Sequence, residues 1–175
     1  MATLDGKRAL VTGASKGIGA GIALALAREG ADVAINYNRD EAGATDVARQ
    51  IAALGRKAVA LQADVARVAD CQRLVQEAAA ALGGLDILVN NAGITRDNLA
   101  MRMSEDDWDA VLSTNLKGAF LCAKAALRHL LRARESGRII SISSVVGISG
   151  NAGQANYAAA KAGLIGMTKS LAKEI

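Results

Sequence analysis

Tyr157 and Lys161 stand four residues apart in "NYAAAKAGL", a run otherwise made mostly of small residues, and Tyr157 is one of only two tyrosines in the chain. On a helix, that spacing puts phenol and ammonium on one face, within reach of one ligand. At roughly 4 Å and an effective dielectric of about 20, a cation favours the phenolate by about 4 kcal/mol, and screening by water reduces this to roughly half. Such a phenol is suited to give up a proton near neutral pH. Taken alone, Tyr-x3-Lys is more often just one face of an amphipathic helix.

A second candidate lies near the start of the chain. The apolar run "RALVT" leads into "GASKGIG" and then a helical stretch. Gly13, Ser15, Lys16, Gly17, Ile18 and Gly19 therefore lie where a backbone turns tightly and can approach a pyrophosphate at a helix N-terminus. The G-x3-G-x-G spacing departs from the dinucleotide fingerprint G-x-G-x-x-G, and a glycine-rich turn is often only a turn. Lys16 precedes its glycine, so the Gly-Lys-Ser/Thr phosphate loop is not present. About 20 residues on, where a carboxylate would grip a ribose 2′-hydroxyl, the strand ends without an acid. Asn36, Tyr37, Asn38 and Arg39 stand there instead, with Lys16 on the neighbouring loop. Two cations and several donors suit the 2′-phosphate of NADP(H); a solvated loop is the plainer alternative.

Two further strand ends carry polar residues. Asp64 in "QADV" could accept from an adenine amino group, with Val65 on the ring, or simply cap a helix. In "VNNAG", Asn90 and Asn91 are expected to satisfy loop backbone, since buried amides need partners, while Ala92 and Gly93 let the chain approach a ligand. His129 is the sole histidine, and Cys71 and Cys122 stand far apart with no CxxC, so no metal site is expected.

These candidates need a scaffold, and the pattern supplies one. Short β-branched runs near 8–12, 32–37, 57–62, 86–90 and 138–143 alternate with helical stretches near 17–29, 41–54, 67–82, 104–132 and 157–174. Right-handed crossovers make this an α/β doubly wound parallel sheet, Rossmann-like, of strand order 3-2-1-4-5 with helices on both faces. Its ligand crevice lies outside the carboxyl ends of the strands, where the candidates fall. The composition, 51% apolar but 2% aromatic and without proline, favours layered helix on sheet over a sandwich. No apolar run is long enough to span a bilayer and no signal peptide opens the chain, so a cytoplasmic protein with no membrane partner is expected. The net charge of +4 is spread out, and stacking aromatics are scarce, so nucleic acid is not expected as a partner.

Taken together, "TGASKGIG", "NNAG", Asn115 in "STNLKGAF", Ser144 in "SISSVVG", and Tyr157 with Lys161 resemble the short-chain dehydrogenase/reductase family, in order along nearly the whole chain. The resemblance implies a catalytic tetrad of Asn115, Ser144, Tyr157 and Lys161. Tyr157 would protonate a carbonyl oxygen as NADPH delivers hydride, Ser144 would hold that oxygen, Lys161 would bind the nicotinamide ribose, and Asn115 would support a proton relay. Within the family, "NNAGITRDNLAMRM" and "GNAGQANYAAAKAGLIGMTKSLAKE" are similar to the 3-oxoacyl-(acyl carrier protein) reductases of fatty acid synthesis, and acetoacetyl-CoA reductases are similar too. A 3-oxoacyl thioester is the implied substrate, with Ser144 and Tyr157 touching it; a non-catalytic nucleotide-binding fragment is the alternative.

Three expectations concern the whole chain. Residues 1–175 should form a single NADP-binding domain, cut short after the helix carrying Tyr157 and Lys161, because family members continue with further strands and a substrate lid. The small residues Ala158, Ala159, Ala160, Ala162 and Gly163 suit close packing against a second subunit in a homo-oligomer, dimer or tetramer. Lys124, Arg128 and Arg132, followed by Arg134 and Arg138, would form one basic stripe; the resemblance implies an acidic acyl carrier protein as its partner.

Overall fold

The computed structural model describes residues 3–175. Five strands, β1 (Arg8–Val11), β2 (Asp32–Tyr37), β3 (Ala58–Gln62), β4 (Ile87–Asn90) and β5 (Arg138–Ser141), form one parallel sheet in the order β3-β2-β1-β4-β5. The central strands are near-continuous apolar runs, as sheets covered on both faces require, and the edge strands β3 and β5 are more exposed. The order reverses at β1, so the crevice forms where β1 and β4 part.

Alternation along the strands divides the core in two. Leu10, Ala34 and Leu88 face α3 (Val68–Leu82) and α5 (Gly118–Arg132), where Leu74, Val75, Cys122 and Ala126 are buried. Val11, Val33, Ile35 and Val89 face α1 (Gly17–Arg28) and α2 (Glu41–Ala53), against Ala23, Ala27, Val47 and Ile51. The abundant alanines let these helices lie close to the sheet. Two helices are opened by capping side chains: Asp40 accepts from the Gly43 amide at α2, and Ser104 from the Asp107 amide at α4 (Glu105–Leu112).

The stretch expected as one helix over 104–132 is α4 and α5 joined by a π-helical turn, Ser113–Lys117. Asn115 sits in that turn, and its amide is clamped to the Ile94 backbone, Oδ1 accepting from N at 2.8 Å and Nδ2 donating to O at 2.9 Å. A π turn is the form a helix takes where one residue is held out of its regular register. A short helix, α6 (Val146–Ser149), precedes α7 (Ala155–Glu174), which packs on α4, α6, β5 and the π turn. No helix among the described residues is long and apolar enough to cross a membrane.

Candidate active site

The glycine turn is built by close approach. Gly13 has φ of 62°, and a Cβ there would come within 2.8 Å of the Ala92 Cα; a Cβ on Gly19 would run into the Gly13 carbonyl and the Asn91 amide. Asn91 closes the turn from β4, its Nδ2 donating to the Thr12 and Gly13 carbonyls at 2.9 and 3.0 Å. Thr12 Oγ1 accepts from the Asn91 and Ala92 amides, both at 3.0 Å. Asn90 departs from expectation: it is buried, and neither atom of its amide has a partner among the described residues.

Asn36 also departs. It turns inward rather than toward the crevice, its Oδ1 accepting from Gly13 N at 3.1 Å and its Nδ2 donating to the Tyr37 and Ala63 carbonyls at 3.1 Å each. Its donors are consumed in joining the glycine turn to β2 and β3. Asn38 and Arg39 remain exposed, as does Lys16, and neither cation forms an ion pair among the described residues. The two loops adjoin, since the Ser15 carbonyl lies against Gly43. Asp64 Oδ1 accepts from the Ala66 amide at 3.0 Å, which makes a local turn rather than a helix cap, and Val65 is buried beside it.

Across the crevice, Ser144 and Tyr157 are half-buried and Lys161 is buried. With Ile18, Asn91 and Gly93 they line a cleft of ≈ 600 Å³. The Ser144 hydroxyl accepts from Val146 N at 3.2 Å. Lys161 Nζ donates to the Ile142 carbonyl at 2.7 Å and lies 5.6 Å from the centroid of the Tyr157 ring, so the ammonium is apposed to the ring rather than simply paired with the hydroxyl. Burial pushes that ammonium below the ordinary lysine range. Ser143 pins the helix here, its hydroxyl donating to the Lys161 carbonyl at 2.9 Å. Asn115 is outside the cleft lining and reaches it through Ile94. A phenol and a hydroxyl beside a buried cation can deliver a proton to an oxygen placed in this cleft.

The basic residues divide. Lys124, Arg128 and Arg132 line one groove between α3 and α5 with His129, while Arg134 and Arg138 line another beneath β5. Burial, then the charges of Arg132 and Arg128, hold the His129 imidazole below the usual histidine range. No three His, Cys, Asp or Glu among the described residues gather as a metal site would require.

Thr12 and Ser143 are site residues that sequence reasoning passes over, and Asn36 is one it places toward the crevice rather than behind the glycine turn. Each is a small polar residue near a strand end whose partners come from distant segments.

The chain is similar to known proteins along nearly its whole length. The 3-oxoacyl-(acyl-carrier-protein) reductase of Staphylococcus aureus is 55% identical over 169 residues, 97% of this chain and 68% of the relative. That of Synechocystis is 50% identical over 175 residues, covering 100% of this chain and 70% of the relative. A short chain dehydrogenase from Burkholderia cenocepacia, solved in complex with NADP, superposes with a TM-score of 0.94 at 49% identity, covering 98% of this chain and 69% of that one. The sequence model of the short chain dehydrogenases matches residues 7–175, and the chain belongs to that family of oxidoreductases.

Proposed function

We propose that the protein reduces a 3-oxoacyl thioester, carried on acyl carrier protein, to the 3-hydroxyacyl thioester with NADPH. The observation that carries this reading is the single cleft in which Ser144, Tyr157 and Lys161 meet Asn91 and Gly93 behind the glycine turn. The residues fit a dinucleotide. Gly13 and Gly19 keep clear the space a Cβ would fill, and exposed Lys16 and Arg39 offer charge to a 2′-phosphate, with Ser15, Gly17, Ile18, Asn38, Asp64, Val65 and Ala92 completing the proposed contact set. NADPH, when bound, supplies hydride to the carbonyl carbon. That cofactor choice also draws on the Burkholderia neighbour solved with NADP.

The chain's own groups handle the proton and the oxygen. The Tyr157 hydroxyl gives its proton to the carbonyl oxygen, and the Ser144 hydroxyl donates a hydrogen bond to the same oxygen as charge builds on it. Lys161 offsets the negative charge left on the phenol and holds the ribose, and Asn115 serves the relay that returns the proton. Carriage on acyl carrier protein draws on the named relatives and on the groove lined by Lys124, Arg128 and Arg132. A cytoplasmic homo-oligomer is the proposed working form. Ala159, Ala162 and Gly166 are exposed along α7 for a second subunit, whereas Gly163 is spent against Leu116 within the chain.

The test is NADPH oxidation with acetoacetyl-acyl carrier protein and with acetoacetyl-CoA, in wild-type and Tyr157→Phe protein. Turnover of both by wild type, faster on the carrier, and loss of about 10²-fold or more in Tyr157→Phe are expected. No turnover of either thioester by wild type would overturn the reading.

A further inference from the structure

The N-terminus of α7 is held in an unusual way. Gln154, its N-cap residue, makes no capping hydrogen bond from its side chain. Asn156, one residue before Tyr157, is 0% exposed, and its amide is satisfied by backbone alone: Oδ1 accepts from Tyr157 N at 2.7 Å, and Nδ2 donates to the Arg96 carbonyl at 2.9 Å and the Asp107 carbonyl at 3.3 Å. Asparagine is a poorer helix former than alanine, and a buried amide is costly unless satisfied, so helix formation alone gives no reason for it here. Its partners do. Ile94, Thr95 and Arg96 form a wall of the cleft that Tyr157 lines. Asn115 fixes that wall at Ile94, and Asn156 fixes it at Arg96. Two exposed links join the same segments, Gln154 Nε2 donating to Asp97 Oδ2 at 3.0 Å and Asn98 N to the Gly153 carbonyl at 2.9 Å.

We propose that Asn156 is a positioning residue for reduction: its amide N–H groups register Tyr157 against the 94–98 segment, so that a substrate lying along this wall with its carbonyl oxygen on Ser144 meets the phenol. Gln154 is the weaker, exposed part of the same link. The inference rests on the reading of Tyr157 as proton donor. A displacement of about 1 Å at a reacting group costs on the order of 100-fold in rate. The glycine turn and Arg39 belong to other elements, and Lys161, a turn further along α7, is held by its own bond to the Ile142 carbonyl, so cofactor affinity should change little.

Set beside Asn156→Ala, Asn156→Asp separates position from stability. It keeps an acceptor for Tyr157 N but sets a buried carboxylate against the Arg96 and Asp107 carbonyls, which costs stability beyond the loss of the two links. With NADPH and acetoacetyl-CoA, kcat is expected to fall about 10- to 100-fold in both Asn156→Asp and Asn156→Ala, with the NADPH dissociation constant within about twofold of wild type. Asn156→Asp should melt below Asn156→Ala, which leaves the two carbonyls unpaired but buries no charge. A kcat that tracks melting temperature, or wild-type kcat in Asn156→Asp, overturns the proposal. Hydrogen exchange supplies a readout free of substrate: amides over 94–98 and 155–158 should exchange faster together in Asn156→Asp, and unchanged exchange overturns the inference. If wild type reduces no 3-oxoacyl thioester, the proposed function falls and exchange alone decides. Should both Asn156 variants fail to fold, Gln154→Ala is expected to lose a few-fold in kcat with faster exchange over 94–98; no change in either overturns the proposal.

Discussion

Lys161 holds a positive charge at 5% exposure with the Ile142 carbonyl as its hydrogen-bond partner, an arrangement that costs stability. Because burial lowers its proton affinity, the unfolded chain binds that proton over a window below the ordinary lysine value in which the folded chain does not; the residue's contribution to stability therefore rises with pH across that window. Lys161→Met is expected to abolish reduction yet melt above wild type near neutrality, by the equivalent of about 1 kcal/mol, and to lose that lead as pH climbs toward the lysine range. Calorimetry at several pH values checks this, and a gap constant with pH would contradict it. Arg39→Ala should weaken NADPH about tenfold, or about 1.4 kcal/mol, and leave NADH unchanged; titration of both cofactors reads the difference. Tyr157 and Lys161 were legible as a candidate pair because their chemistry is carried by side-chain type at short spacing, whereas Ser144 was marked only by the family resemblance. The role of Asn36 was not legible: a polar residue ending a strand looks free to meet a ligand until the fold brings Gly13 and Ala63 to it.

The strands and most helices were legible as elements because alternation of apolar runs fixes them locally, and they form within a residue or two of expectation. The π turn was not. Ser113–Lys117 carries no sequence signal of its own, and its register follows from the Asn115 clamp on Ile94, a contact made 21 residues away. Nor does the sequence show what closes the far end of the sheet. Asp86, just before β4, accepts from Arg8 N at 3.0 Å, from Arg8 Nε at 2.6 Å and from Ser136 Oγ at 3.0 Å, tying β1 and β4 to the turn before β5. Burial alone would raise its carboxyl, but the hydrogen bonds from Arg8 and Ser136 outweigh it and hold it below the usual aspartate range. Its stabilisation is therefore complete above about pH 4 and is lost as pH falls through the lowered value. Asp86→Asn should cost about 1–3 kcal/mol at neutral pH, with the gap to wild type narrowing in acid. Urea melts at pH 7 and pH 3 check this, and an undiminished gap at pH 3 would contradict it.

At the scale of the molecule, the chain spans about two thirds of the length of the relatives it matches, and every residue proposed for hydride and proton transfer lies within it. The charge pattern was only half legible: a linear stripe of five cations folds into two grooves, since α5 ends at Arg132 and the turn that follows carries Arg134 to the other side of the helix. Reversing Arg128 and Arg132 to Glu should slow the carrier-bound substrate about tenfold at low salt, leave acetoacetyl-CoA within about twofold, and lose its effect at high salt. Equal effects on both substrates would rule out carrier docking in this groove. The central claim is that this cleft transfers hydride to a thioester-linked ketone while Tyr157 supplies the proton. Its most direct test is mass spectrometry of the acyl product formed from acetoacetyl-acyl carrier protein with NADPH deuterated at the transferable position. Wild type should give a 3-hydroxyacyl product carrying deuterium at the reduced carbon, and Tyr157→Phe at most a trace. A wild-type product without deuterium, or equal labelled product from Tyr157→Phe, would contradict that claim.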